Sequence, residues 1–326
     1  EPATATALDV GRDLTVRARA ELVARTTMIS GAFGGSVGIG GQVLVSKFYQ
    51  TVQARIGDNT RFDRALRDVT VHAEQRFTQR LVMGAMAAGG IAAIGGTVGV
   101  TNIGSTVAAE IGDHVTLTAT RDVSVLADGA RDLDAVAVAG SAAGLVALQA
   151  TVLIASFAGN VEDEDNAATL DAIEGDLASD PYAGMDAGNA RVGGLLAEAR
   201  DDRASVDMRD ARRVNPGRTD VVRARIGQFS TITAGNAIEL RSFEGGDIRM
   251  VGGAAAAAAL VGVSAGVVVL TRRSSVLADV DFGTRLTASG VLITAEGSGD
   301  DGNLTAFAMG AAGLVGGGAA VGITNI

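Results

Sequence analysis

The feature that most constrains this chain is a repeat of about 54 residues. A short block of alternating apolar and polar residues recurs five times, at offsets of 55, 54, 115 and 53 residues. Its copies begin at Leu14, Val69, Val123, Ile238 and Val291. Self-similarity at a fixed period is typical of repeat architectures, in which each unit completes its core only against its neighbours.

A second block has the same spacing and the same interruption. It begins at Ala54, Ala109, Ala224 and Ala278, at offsets of 55, 115 and 54 residues. The long offset corresponds to one period plus about 60 inserted residues, so we expect a single array with one insertion. We therefore divide the chain into repeats over 1–159, an insertion over 160–222 and a continuation of the same array over 223–326.

The last residues match the middle of an earlier repeat. The chain stops at 324–326, whose sequence Thr-Asn-Ile also occurs at 101–103. Because a terminal repeat normally needs a cap over its open face, we expect this chain to be a section of a longer array.

Alternation with period 2 and many Val, Ile and Thr residues predict half-buried strands for both blocks. Gly-Asp pairs such as Gly57-Asp58 predict turns after the second block. The polar stretches 128–132, 244–247 and 297–303 follow the first block and also predict turns, because Gly, Asp and Asn tolerate positive φ.

The third recurring element is a run of 18 to 24 small and β-branched residues without charge, as in 83–103. Such a length suits a membrane helix, and Ala254 to Ala259 suit a buried helix. Dense glycine and the alternation of residues such as Val98-Gly99-Val100 favour strands, with Gly pairs allowing a turn, so a membrane span is not expected.

A strand that is apolar on both faces needs cover on both faces. We expect a second layer of this chain or a neighbouring chain to supply that cover. The residues predicted to pack or self-assemble in this way are Gly84, Ala85, Val98, Val100, Ala255, Ala257, Val261, Val263, Gly310 and Val321.

These patterns predict an all-β fold, a repetitive β-solenoid (β-helix) with tightly packed Gly/Ala/Val strands. The insertion differs in composition, because it opens with acidic residues and continues with helix-like stretches at 167–177 and 191–213. We expect a partly helical excursion there, with disorder of some of it as the alternative.

The composition of the chain limits which metal ligands, disulfides and partners it can have. The chain has no Cys, which excludes disulfides and thiolate metal sites, and its net charge of −10 argues against nucleic acid as a partner. His72 and His114 lack a partner at metal-ligand spacing and are expected on strands, facing solvent. Carboxylates in two clusters are candidate calcium ligands, and no other cofactor is expected. These candidates are Glu162, Asp163, Glu164, Asp165, Asp300 and Asp301.

The blocks resemble the repeats of very large bacterial surface exoproteins, the leukotoxin-type and filamentous-haemagglutinin-like adhesins. The stretch from Ala109 to Val125 carries the resemblance best, with its Ala-Glu-Ile-Gly-Asp and Asp-Val-Ser-Val segments. The resemblance implies secretion to the bacterial cell surface, a β-solenoid shaft and a role in adhesion. It implies no catalytic residue.

Three functions follow as hypotheses. The first is a structural shaft or self-assembling filament that forms homopolymers or associates laterally. The second is an adhesin module that binds a receptor or glycan through the insertion. The third, an enzyme acting on polysaccharides, requires acids aligned along one face. The regular blocks contain no such alignment, so we do not expect an enzyme.

Overall fold

A computed structural model describes residues 6–8, 12–157, 220–298 and 302–325. Across these residues the chain is all-β, with strands in three parallel sheets and no helix. The partly helical insertion predicted for 160–222 lies outside the described residues, apart from its last three.

The smallest sheet, sheet A, has five short strands in the order β1-β4-β7-β11-β16. They are β1 (Thr6–Leu8), β4 (Thr60–Phe62), β7 (Thr116–Ala119), β11 (Thr231–Ala234) and β16 (Arg285–Thr287).

Sheets B and C contain the long strands. Sheet B consists of β2 (Leu14–Gly34), β5 (Val69–Gly89), β8 (Val123–Ala143), β12 (Ala237–Gly245), β13 (Ile248–Ala258), β17 (Gly290–Gly297) and β18 (Asn303–Ala312). Sheet C consists of β3 (Val37–Ile56), β6 (Ala92–Ile111), β9 (Val146–Phe157), β10 (Asp220–Ile226), β14 (Val261–Arg272), β15 (Ser274–Val280) and β19 (Val315–Asn325).

The chain passes through sheet A, sheet B and sheet C in turn, and then begins again one strand further along each sheet. We call one such passage a rung, and the described residues form five. This stacking of parallel strands fits the β-helix or solenoid class. A 21-residue strand such as β5 extends roughly 70 Å, whereas five rungs stack to only roughly 24 Å.

The repeats found in the sequence are the stacked positions of the rungs. Val123 pairs with Val69 on one side and the Ile238 position on the other, in parallel register. Ala109 pairs in the same way with Ala54 and Ala224. Stacked positions meet the same surroundings, which explains why the sequence period and the structural register coincide.

Tight turns join sheet B to sheet C where the sequence has Gly. The strands stop at Gly34 and Gly89 and resume after a gap of two residues, at Val37 and Ala92. These turns were predicted and are confirmed. We call the side of the molecule where they stack the narrow edge, and the opposite side, with sheet A, the wide end.

The core changes in character between these two sides. At the wide end three sheets enclose large residues such as Val125, Ile226 and Leu240. Toward the narrow edge only sheets B and C remain, and most of their inner residues are small, chiefly Ala, Gly, Ser and Thr, with Gln149 as a larger exception. A Cβ added at Gly310 would overlap the carbonyl oxygen of Gly317, so the two sheets approach too closely there for any side chain.

Two local predictions were wrong. The stretch 128–132 lies within the unbroken strand β8, because pairing with β5 and β12 overrides its turn-favouring composition. His114 lies in a turn with φ of 57°, not on a strand. The strand does break at 246–247, where Gly246 adopts φ of 144°.

Candidate functional site

The candidate calcium ligands in both acidic clusters, from Glu162 to Asp165 and at Asp300 and Asp301, lie outside the described residues. Within the described part of the chain, no group of three or more His, Asp or Glu side chains is placed to hold a metal ion. The same part contains no helix long and apolar enough to cross a membrane.

The one charged cluster inside the described core centres on Arg131, which points inward from β8. Its Nη1 atom lies 2.6 Å from both Asp220 Oδ2 and Glu244 Oε1. Its Nε and Nη2 atoms donate to the Ser105 hydroxyl at 2.9 and 2.5 Å. Arg272 donates to the same Glu244 oxygen at 2.8 Å.

This cluster joins sheets B and C at the middle of the stack. Arg131 and Glu244 come from sheet B, whereas Asp220, Ser105 and Arg272 come from sheet C. Every residue of the cluster except Arg272 is at most 3% exposed to solvent. Two arginines face two carboxylates, so the cluster is formally neutral.

Burial disfavours the charged form of a carboxylate. Desolvation raises the pKa of Asp220 to about 6, and the neighbouring Glu244 adds to that shift, while Arg131 opposes it. Asp220 is the first residue described after the gap at 158–219, so the cluster lies where the chain re-enters the sheet. Because all of its side chains except that of Arg272 are almost fully buried, we assign the cluster a structural role in fixing the two sheets together.

Sequence patterns alone missed this cluster because Arg131 falls in a stretch that predicted a turn. One signal could have found it. Inward positions of β8 alternate from Val123 onward, and continuing that alternation places Arg131 on the core side. A charge on that side requires an oppositely charged partner.

Charged residues alternate in sign across the rungs on the outer side of sheet C. Arg55, Glu110, Arg225 and Asp279 occupy successive paired positions. Arg55 Nε lies 3.6 Å from Glu110 Oε2. Opposite charges in neighbouring strands favour the observed register over a shifted one. His72 contributes a similar contact, with Nε2 2.8 Å from Asp128 Oδ2.

The outer side of sheet B is charged near the wide end and apolar near the narrow edge. We call the apolar part the distal face. It comprises four rows of outward-pointing residues that run across the five rungs. Row a is Thr27, Val82, Val136, Val251 and Thr305; row b is Ile29, Gly84, Val138, Gly253 and Phe307; row c is Gly31, Met86, Gly140, Ala255 and Met309; row d is Phe33, Ala88, Ala142, Ala257 and Ala311.

The residues predicted to pack or self-assemble are divided among three places. Gly84, Ala255 and Ala257 belong to the distal face, whereas Ala85 and Gly310 point inward between the sheets. The other five lie on the outer side of sheet C. These are Val98, Val100, Val261, Val263 and Val321.

The two outer surfaces differ in exposure. On sheet C, Val100 and Val152 are buried at 5% and 3%. On the distal face, Val138 and Met86 are exposed at 40% and 58%. On sheet C the end-rung residues Val43 and Val321 are also exposed, at 40% and 43%, so the distal face differs in being exposed on its inner rungs as well.

Neither a protein-family model, nor a curated protein, nor a solved structure matches this chain.

Proposed function

We propose that this chain is an extracellular structural protein, a section of the shaft or self-assembling filament of a bacterial surface adhesin or matrix fibre. The observation that carries the proposal is the continuous register of the five rungs. Each inner rung buries its core against the rungs on both sides, as Val123 does against Val69 and Ile238. Such a stack can be extended without any change in its cross-section.

The regular distribution of charge supports the same proposal. Ion pairs between neighbouring rungs, such as Arg55 with Glu110 and Arg223 with Asp279, fix the register between strands that are otherwise rich in similar small residues. Gly-rich strands are prone to slip in register, and a shift by one residue exposes the core face. A long shaft requires protection against that slip.

Electron microscopy of the purified chain over a concentration series tests the proposal. We expect fibres of regular width, with strands spaced about 4.8 Å along the fibre axis. Discrete plates of one size at every concentration would contradict self-assembly. Labelling of intact cells with an antibody against the chain tests the surface location, and a signal only after lysis would contradict it.

An adhesin that binds a receptor or glycan through its insertion is the second candidate. The position of the insertion favours it, because the chain leaves sheet C after Phe157 and returns at Asp220 beside it. A binding segment could be attached there without breaking a rung. Binding to cells or glycan arrays that survives deletion of the segment would exclude this function.

A further inference from the structure

We propose that the distal face binds the distal face of a second copy of this chain, about a two-fold axis parallel to the direction in which the rungs stack. This inference rests on the proposed structural function and names the partner surface through which it operates. Large apolar side chains protrude from the face into solvent. Ile29 is exposed at 80%, Phe33 at 75% and Met309 at 65%.

The size of the face suits a dimer. Four rows spaced by two residues and five rungs at strand spacing cover roughly 600 Å². Two such faces bury roughly 1,200 Å² in total, which is the lower limit of a standard stable interface. A patch of this size also lies at the upper end of what soluble monomers expose.

The shape of the face is complementary to itself. Under the proposed axis, row b of one copy lies over row c of the other in the same rung. In rung 1, Ile29 then lies over Gly31, and in rung 3, Val138 lies over Gly140. In rung 2 the order reverses, so that Met86 lies over Gly84. In these three rungs each large side chain of rows b and c therefore meets a glycine.

Rows a and d contain no glycine, and larger side chains there meet Ala, or Thr27 in the case of Phe33. Val82 and Val136 of one copy lie over Ala88 and Ala142 of the other. In rung 5, Phe307 meets Met309, a contact between an aromatic ring and a thioether that is favourable in itself. Phe307 already lies flat over Gly253, where a Cβ would overlap its ring.

Charges end the apolar surface on one side. Arg25, Arg80, Asp134 and Arg249 form the next row toward the wide end. In the proposed pair this row lies beyond the partner's narrow edge, in solvent, as the polar rim of an interface does. The wide ends point in opposite directions, and equal rungs face each other, so stacks of any height pair without a change of register.

A charge placed at the centre of the face tests the pairing. Val138→Glu puts two carboxylates next to the two-fold axis, and Leu126→Glu makes the same change on the same strand and the same outer side, away from the face. Analytical ultracentrifugation should show self-association weakened tenfold or more by V138E and unchanged by L126E. Circular dichroism checks that both variants keep their β structure.

Spin-label distances test the geometry without altering the face. The natural chain has no cysteine, so Arg80→Cys and Arg76→Cys each provide a single labelling site. Arg80 is five residues from the axis and Arg76 nine, which gives label separations of about 35 Å and about 60 Å. A pair in which the rungs of the two copies stack in opposite order would give about 15 Å at both sites. That result would overturn the proposed axis.

The fibres formed by V138E and by the natural chain distinguish a failure of the pairing from a failure of the filament function. If V138E forms fibres of half the natural width, the pairing and the filament are both supported. If V138E and the natural chain form identical fibres, the pairing is overturned and the filament stands. If neither forms fibres, the filament is overturned, and the spin-label distances still decide whether two copies pair.

Discussion

Phe157 and Asp220 are near neighbours in sheet C although 62 residues separate them in sequence. Phe157 lies opposite Ile103, and Ser105, two residues further along β6, bonds to the Asp220 carboxylate at 3.0 Å. The next rung has no insertion at this place, and it shows how many residues the connection needs. Between Arg272, opposite Phe157, and Ser274, opposite Asp220, there is one residue.

Deletion of 159–219 should therefore leave the fold intact. It joins Ala158 directly to Asp220 and leaves one residue between Phe157 and Asp220, as in the rung above. We expect the same β-sheet circular dichroism and a melting temperature within a few degrees of the natural chain.

Deletion of 158–219 is the matched control, because it removes one residue more. The register then shifts by one, and the side chains of β10 exchange the core for the surface. We expect loss of cooperative unfolding in this variant alone. Equal behaviour of the two deletions would contradict the register described here.

Asp220 should make stability depend on pH. Its pKa is raised from 3.8 to about 6 by burial, so the folded chain binds a proton more readily than the unfolded chain. Above pH 6 the buried carboxylate is charged, and the free-energy cost of burying that charge is fully present. As pH falls from 6 toward 3.8, protonation removes the charge and stability is regained. The gain is about 3 kcal/mol.

Asp220→Asn should abolish this gain. Urea unfolding at pH 4.5 and pH 7 measures about 2 kcal/mol of it, since the rest appears only below pH 4.5, with Asp63→Asn on the exposed surface as the control. A natural chain that is less stable at pH 4.5 than at pH 7, with the difference absent from D220N, would reverse the predicted sign.

Removal of Arg131 should be costly because it leaves two buried carboxylates with one arginine. We expect Arg131→Met to lower the free energy of unfolding by about 3–5 kcal/mol. Adding Asp220→Asn to that variant restores charge balance between Glu244 and Arg272, so the double variant should recover part of the loss. Additive effects in this cycle would show that Arg131 and Asp220 do not interact.

The alternating charges on sheet C predict a smaller effect. Glu110→Lys places a cation between Arg55 and Arg225, and should destabilise the fold by about 0.5–1 kcal/mol more than Glu110→Gln. Thermal unfolding at low and high salt measures this difference. It should shrink at high salt, and a difference that persists would point to packing instead of charge.

Much of this architecture could be predicted because stacking imposes the same demands on each rung. The matches of Val69, Val123 and Ile238 in the sequence are the pairs found between strands. The all-β, parallel architecture and the turns at Gly34 and Gly89 follow from the same repeats.

Interactions that occur in only one rung could not be predicted in this way. Arg131 has Phe77 below it, so no repeat marks it as buried. Its partners Asp220 and Glu244 are about a hundred residues away, and only the completed winding brings them together. The distal face depends on both the alternation and the register, since its rows become visible when five strands are aligned.

The connections between successive strands absorb small differences in length. Rung 2 has one residue more than rung 1 between Phe62 and Val69, and rung 5 gains one between Gly297 and Asn303, while the paired strands keep their alignment. A gene encoding this chain can therefore gain or lose single codons in these connections, and whole multiples of one rung elsewhere. The height of the stack is thus open to change by duplication, while its cross-section is inherited unchanged.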